Sequence, residues 1–146
     1  MTVDVITDVV IARPISVVAA YAADPSNAPE WYANIDSVEW QSEPTVTIGA
    51  KVAFVARFLG RRLGYTYEIV EYVAGDRLVM RTSEGPFPME TTYTWTGLDD
   101  AATTMTLRNR GEPSGFSKIA APLMSGAMRR ANRKDLAALK AILESA

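Results

Sequence analysis

The chain has no cysteine and no histidine among its 146 residues. The first absence excludes disulfides, thiolate nucleophiles and cysteine-ligated zinc. The second removes the usual imidazole base and the commonest metal ligand, so Ser-His-Asp and Cys-His catalysis are excluded and no metal site is expected. Any acid–base chemistry is left to carboxylates, tyrosine, lysine or water. An excess of charge is also missing. The formal net charge is −2, and the one basic cluster falls on the last helix, so a nucleic-acid partner is not expected. No apolar run approaches the roughly 20 residues of a membrane span, and the N-terminus lacks the pattern of a signal peptide. The expectation is a cytoplasmic protein, without integral membrane association and without a cofactor.

What is present is an ordinary globular composition, 48% hydrophobic and 22% charged. A chain of this size buries roughly 68–70% of its unfolded surface, enough for one domain over residues 1–146. From Val3 to Ile11 a β-branched run reads as a strand that Arg13-Pro14 stops. Two short helices are predicted next, over Ile15 to Ala22 and, after Asp24-Pro25, through Trp31 and Tyr32. Strand character returns at Ile35 to Trp40. A meander follows, with strands over Lys51 to Leu59, from Leu63 through Ile69, about Leu78 to Ser83, Phe87 to Thr96 and Thr104 to Arg110. Gly60-Arg61-Arg62 and Ala74-Gly75-Asp76 read as turns between them. From Phe116 to the C-terminus the chain reads as one long amphipathic helix. Met124, Met128, Leu136, Leu139, Ile142 and Leu143 form its apolar side, and Arg129, Arg130, Arg133 and Lys134 cover much of the rest. Its first half carries small or flexible residues, Ala120, Ala121, Met124, Gly126, Ala127 and Met128, and is expected to border a cavity. Pro122 either starts the main part of the helix or kinks it.

Several segments carry a resemblance to a known superfamily: Arg13-Pro14-Ile15-Ser16-Val17-Val18 after the opening strand, Asp24 to Trp31, Ile48 to Val52, Tyr67 to Tyr72 ahead of Ala74 to Leu78, and Asp135 to Lys140. In this order they resemble the START-like, birch-pollen-allergen-like helix-grip domains, and within them the bacterial polyketide cyclase/dehydrase-like group. The resemblance covers nearly the whole chain. It implies an α+β fold in which a seven-stranded antiparallel sheet wraps around a long C-terminal helix, with a deep apolar cavity between them. It implies no particular reaction, because relatives include enzymes, carriers, sensors and partner-binding modules.

Alternation places Phe54, Phe58, Tyr65, Tyr67, Met80, Met89, Thr91, Tyr93, Trp95, Met105 and Asn109 on the inner face. Leu123, Met124, Ala127 and Met128 join them from the helix, and Trp31 from the proline-rich turn. These are the candidate ligand contacts. For any single aromatic or methionine among them core is the favoured reading, since such side chains fill ordinary cores. The tyrosine hydroxyls, Thr91 and the Asn109 amide cost about 1–3 kcal/mol each if buried unpaired, so they need protein, water or ligand partners. Trp31 and Tyr32 either form a mouth or plug the end of the core. Glu30, Asp36 and Glu90 are the carboxylates to test as bases, with a surface role as the favoured reading. Arg81 and Arg108 fall on the outer face.

The expected function is binding of a mid-sized hydrophobic molecule, such as a polyketide, sterol-like or acyl compound, in a cavity above roughly 300 Å³. A cyclase, aromatase or dehydratase is the enzyme alternative, with catalytic residues unassigned. A protein-interaction module using the basic helix face is the third. A monomer or homodimer is expected.

Overall fold

The computed structural model describes residues 2–112 and 121–146. Along the chain come β1 (Val3–Ile11), α1 (Ile15–Ala23), a 3-10 turn (Pro25–Asn27), α2 (Ala28–Trp31) and β2 (Ile35–Trp40). They are followed by β3 (Lys51–Phe58), β4 (Arg61–Val73), β5 (Arg77–Glu84), β6 (Met89–Asp99), β7 (Ala102–Gly111) and α3 (Ala121–Glu144). The strands form a seven-stranded sheet in the order β1-β7-β6-β5-β4-β3-β2, with antiparallel neighbours throughout. The meander from β2 to β7 follows from short turns between amphipathic strands, and β1 returns to pair with β7 at the far edge. This is the helix-grip arrangement, an α+β fold.

Alternation sets which faces are buried. In β1, Val3, Val5 and Ile11 are fully buried, whereas Ile6 and Val10 on the opposite side are exposed. The β3–β4 turn is one residue earlier than the glycine-arginine pattern suggests. Leu59 and Gly60 form it with φ of 50° and 77°, the left-handed pair that matches the twist of a two-residue hairpin, and Arg61 already belongs to β4. Phe87 precedes β6 rather than starting it. It is buried beside Val3, Val5, Leu63 and Met124 in a small second cluster.

α3 lies in the concavity of the sheet. Leu136, Leu139 and Leu143 enter the main core with Val18, Trp31, Trp95, Met105 and Leu107. Its C-terminal end is latched to the β1–α1 junction: Arg13 donates to the Leu143 carbonyl at 2.7 Å, and Lys140 to that of Val10 at 2.7 Å, while the Ala12 N–H donates to Glu144 at 2.8 Å. A guanidinium on the last carbonyls also complements the negative end of the helix dipole. Of the helix expected from Phe116, residues 116–120, Ala120 among them, lie outside the described residues; Ala121 opens the described helix and Pro122 sits in its first described turn. No helix of the described residues is long and apolar enough to cross a membrane.

Gly111 closes β7 against the segment before β6. A Cβ there would meet the Pro88 carbonyl oxygen at 2.6 Å and the Met89 Cγ at 3.1 Å. Backbone cannot yield as a flexible side chain can, so Gly111→Ala is expected to destabilise by about 1–3 kcal/mol. Urea denaturation of the two proteins measures this, and equal midpoints would show that the strand end gives way freely.

Candidate functional site

A cavity of about 140 Å³ lies between the inner face of the sheet and α3. From β3 and β4 it is lined by Phe54, Phe58, Tyr65 and Tyr67. Met80, Met89, Thr91 and Tyr93 continue the wall through β5 and β6, Asn109 extends it on β7, and Met124 and Met128 close it from the helix. All of these are expected wall residues, and inward alternation of the strands explains them. The volume is less than half the roughly 300 Å³ expected of a ligand pocket.

The structure corrects the other expected contacts. Trp31, Trp95 and Met105 are 1%, 2% and 0% exposed and belong to the core, off the cavity wall. Trp31 is a plug, packed on Tyr32 at 4.2 Å and on Tyr93 at 5.7 Å between ring centroids. Trp95 and Met105 belong to the main core cluster, which also holds Val18, Ala19 and Ala22 of α1. Leu123 is 70% exposed, and Ala127 is half-buried but off the wall. On α3 the cavity-facing line runs through Met124, Met128, Ala131 and Asp135, so Leu123 and Ala127 each sit one residue, about 100°, away from it.

That line also carries polar residues, Asn132 and Asp135, that are not among the expected ligand contacts. Tyr32, Asn132 and Asp135 line the cavity. Asp135 is 3% exposed. Its Oδ1 accepts the Ala33 N–H at 3.0 Å. Burial raises the Asp135 pKa to about 6, with the Ala33 hydrogen bond and the Lys134 charge acting the other way. Asp135 also reaches Tyr32, Tyr65 and Tyr93 electrostatically. All three phenols are held well above their ordinary range, chiefly by burial. Tyr32 and Tyr93 share a hydroxyl–hydroxyl bond of 2.6 Å.

A second set of polar groups crosses the wall. The hydroxyls of Tyr67 and Thr91 are 2.7 Å apart, Thr91 donates to the Asn109 Oδ1 at 2.6 Å, and the Asn109 Nδ2 donates to the Asn132 Oδ1 at 3.1 Å. These partners meet the need that burial creates for Tyr67, Thr91 and Asn109.

The carboxylates singled out from sequence are engaged elsewhere. Glu30 accepts from the Tyr21 hydroxyl, Asp36 pairs with Arg57 at 2.7 Å, and Glu90 is held between Arg81 and Arg110. Burial would push Glu90 upward, but the hydrogen bonds and charges of Arg81 and Arg110 outweigh it and hold its pKa below the usual value. Arg108 pairs with Asp4 on the outer face. Arg57 and Arg110 reach the cavity wall with their guanidiniums committed to Asp36 and Glu90.

The fold recurs among solved structures. A START superfamily protein from Mycobacterium smegmatis superimposes with a TM-score of 0.81 at 13% identity, covering 97% of both chains. The ZhuI aromatase/cyclase from a Streptomyces species gives 0.80 at 18%, over 99% of this chain and 94% of that one. Ginseng major latex-like protein 151 from Panax ginseng gives 0.75 at 16%, over 96% of each. No curated protein sequence matches the chain. Residues 2–144 match the family described as polyketide cyclase / dehydrase and lipid transport, and with nearly its whole length matched, the chain belongs to that family.

Proposed function

We propose that the chain is a single ligand-binding domain, residues 1–146, that takes a hydrophobic small molecule of polyketide, sterol-like or acyl type between sheet and α3. The observation that carries this is the cavity itself, apolar in most of its wall and bordered by methionine on both sides. A cavity of roughly 150 Å³ holds benzene, so the resting volume suits one ring. A larger ligand displaces Met80, Met89, Met124 and Met128, unbranched side chains that repack at low cost. In this reading the protein is a cytoplasmic monomer or homodimer with no nucleic-acid partner, the last supported by the nearly neutral net charge of −2.

Ala131 is the position at which to fill the cavity, since it lines the wall and is only half-buried. Ala131→Trp is expected to abolish binding of an apolar fluorescent probe, by at least about tenfold, while the folded near-UV spectrum persists. Undiminished binding by the folded variant would place the ligand elsewhere.

One observation favours a second reading, that of an enzyme. Asp135 is a buried cavity carboxyl that exchanges its proton near pH 6, close to the operating range an acid–base group needs. With a β-hydroxy ketone bound, its carboxylate form would remove the proton next to the carbonyl. The acid form so created would protonate the departing hydroxyl, leaving an enone, water and the original carboxylate. Asp135→Asn should then lose turnover by about 10²–10⁴-fold while still binding substrate. Turnover equal to that of the wild type would remove Asp135 from the chemistry.

A further inference from the structure

The polar chain across the cavity wall has a direction. Thr91 spends its one hydroxyl hydrogen on the Asn109 Oδ1, so the Tyr67 hydroxyl is the donor in the bond between Tyr67 and Thr91. Asn109 spends an Nδ2 hydrogen on the Asn132 Oδ1. Each member passes a donor forward, and the last is Asn132. Asn132 is 4% exposed and lines the cavity, and its Nδ2 is buried with no hydrogen-bond partner among the described residues. A buried amide donor left unpaired is costly, and native structures satisfy nearly all such groups. With Asn109 as it stands, turning Asn132 alone would set its Nδ2 against the Asn109 Nδ2, donor to donor.

We propose, resting on the cavity reading above, that Asn132 Nδ2 is the anchor for a neutral acceptor oxygen of the ligand, a ketone or aldehyde carbonyl rather than a carboxylate. Charge decides between these two oxygen types. Among the described residues the cavity-lining cations, Arg57 and Arg110, are bound to Asp36 and Glu90, so neither is available to neutralise an incoming anion. Asp135, one helical turn beyond Asn132 and on the same wall, carries negative charge above about pH 6 and repels one. The carbonyl end of the ligand therefore sits at the middle of α3, and its apolar body runs toward Met124, Met128 and Phe58.

Three single-ring probes of nearly equal size separate the alternatives: acetophenone, α-methylstyrene, in which a methylene replaces the carbonyl oxygen, and benzoate. Titrations followed by amide chemical shifts at pH 8 give their affinities for the wild type and for Asn132→Leu. The expected result is that the preference for acetophenone over α-methylstyrene falls by about fivefold to thirtyfold in Asn132→Leu, and that benzoate binds the wild type at least about tenfold more weakly than acetophenone. An unchanged preference overturns the anchor and leaves the cavity reading standing, whereas failure of all three probes, α-methylstyrene included, overturns the cavity reading itself. If Asn132→Leu does not fold, Thr91→Val breaks the chain upstream and is expected to reduce the same preference. The infrared carbonyl stretch of acetophenone bound to the wild type then serves as a direct readout: displacement below its value in hexane is expected, and an undisplaced stretch overturns the proposal.

Discussion

Asp135→Asn is expected to stabilise the folded protein by about 2–3 kcal/mol at pH 8 and to leave its stability at pH 4 nearly unchanged. Asp135 rises from 3.8 in the unfolded chain to about 6 in the fold, so the folded state binds the proton more tightly. The benefit of the neutral acid is fully present below about pH 4 and is lost as pH rises through 6. Two units correspond to about 3 kcal/mol. Asparagine keeps an acceptor for the Ala33 N–H and never charges. Asp4, Glu90 and Glu144 are shifted the other way, so their stability contribution is present above their unfolded values and lost as acid is added. They remain in both proteins, and the difference between wild type and variant isolates Asp135. Urea denaturation at pH 4 and pH 8 supplies the four numbers. A variant less stable than wild type at pH 8 would show that the fold favours the charged carboxylate.

The second large effect belongs to Trp31. It is 1% exposed at the end of α2, between Tyr32, Tyr93 and the core. Trp31→Ala leaves a void where the chain turns from α2 into β2 and should cost about 3–5 kcal/mol. Trp31→Phe should cost far less, because the indole Nε1 it removes is buried without a partner among the described residues, and its loss offsets part of the lost packing. Thermal unfolding of both variants checks this. Near-equal losses would mean that the ring contributes little packing. Retained stability in Trp31→Ala would restore a role at the mouth.

How much of this was legible in the sequence depends on period. Strand alternation placed Phe54, Tyr65, Tyr67, Met80, Thr91, Tyr93 and Asn109 on the cavity side correctly, because a period of two leaves no ambiguity once one face is apolar. The same rule could not tell cavity wall from solid core. Trp95 and Met105 share the inner face with Tyr93 and Asn109, but they pack into the main core, off the cavity wall, a tertiary fact with no local signature. On α3 the signal was present and misread. The spacing Met124, Met128, Ala131, Asp135, Leu139 continues one face without a break, and Asn132 and Asp135 fall on or beside it. A polar residue on an apolar stripe is the informative observation, and neither Asn132 nor Asp135 is among the ligand contacts that the hydrophobic pattern picks out. Glu30, Asp36 and Glu90 drew attention as carboxylates, but their partners Tyr21, Arg57, Arg81 and Arg110 come from other parts of the chain, and sequence separation hides such pairs.

Native mass spectrometry of the protein purified gently from its own host, followed by extraction of whatever is bound, tests the central claim most directly. A pocket that encloses about 70–90% of a ligand's surface retains it through such handling. The expected result is one stoichiometric, uncharged and mostly apolar molecule with one or two oxygen functions, at least one of them a carbonyl. Stoichiometric recovery of a phosphorylated nucleotide or a metal ion would contradict it.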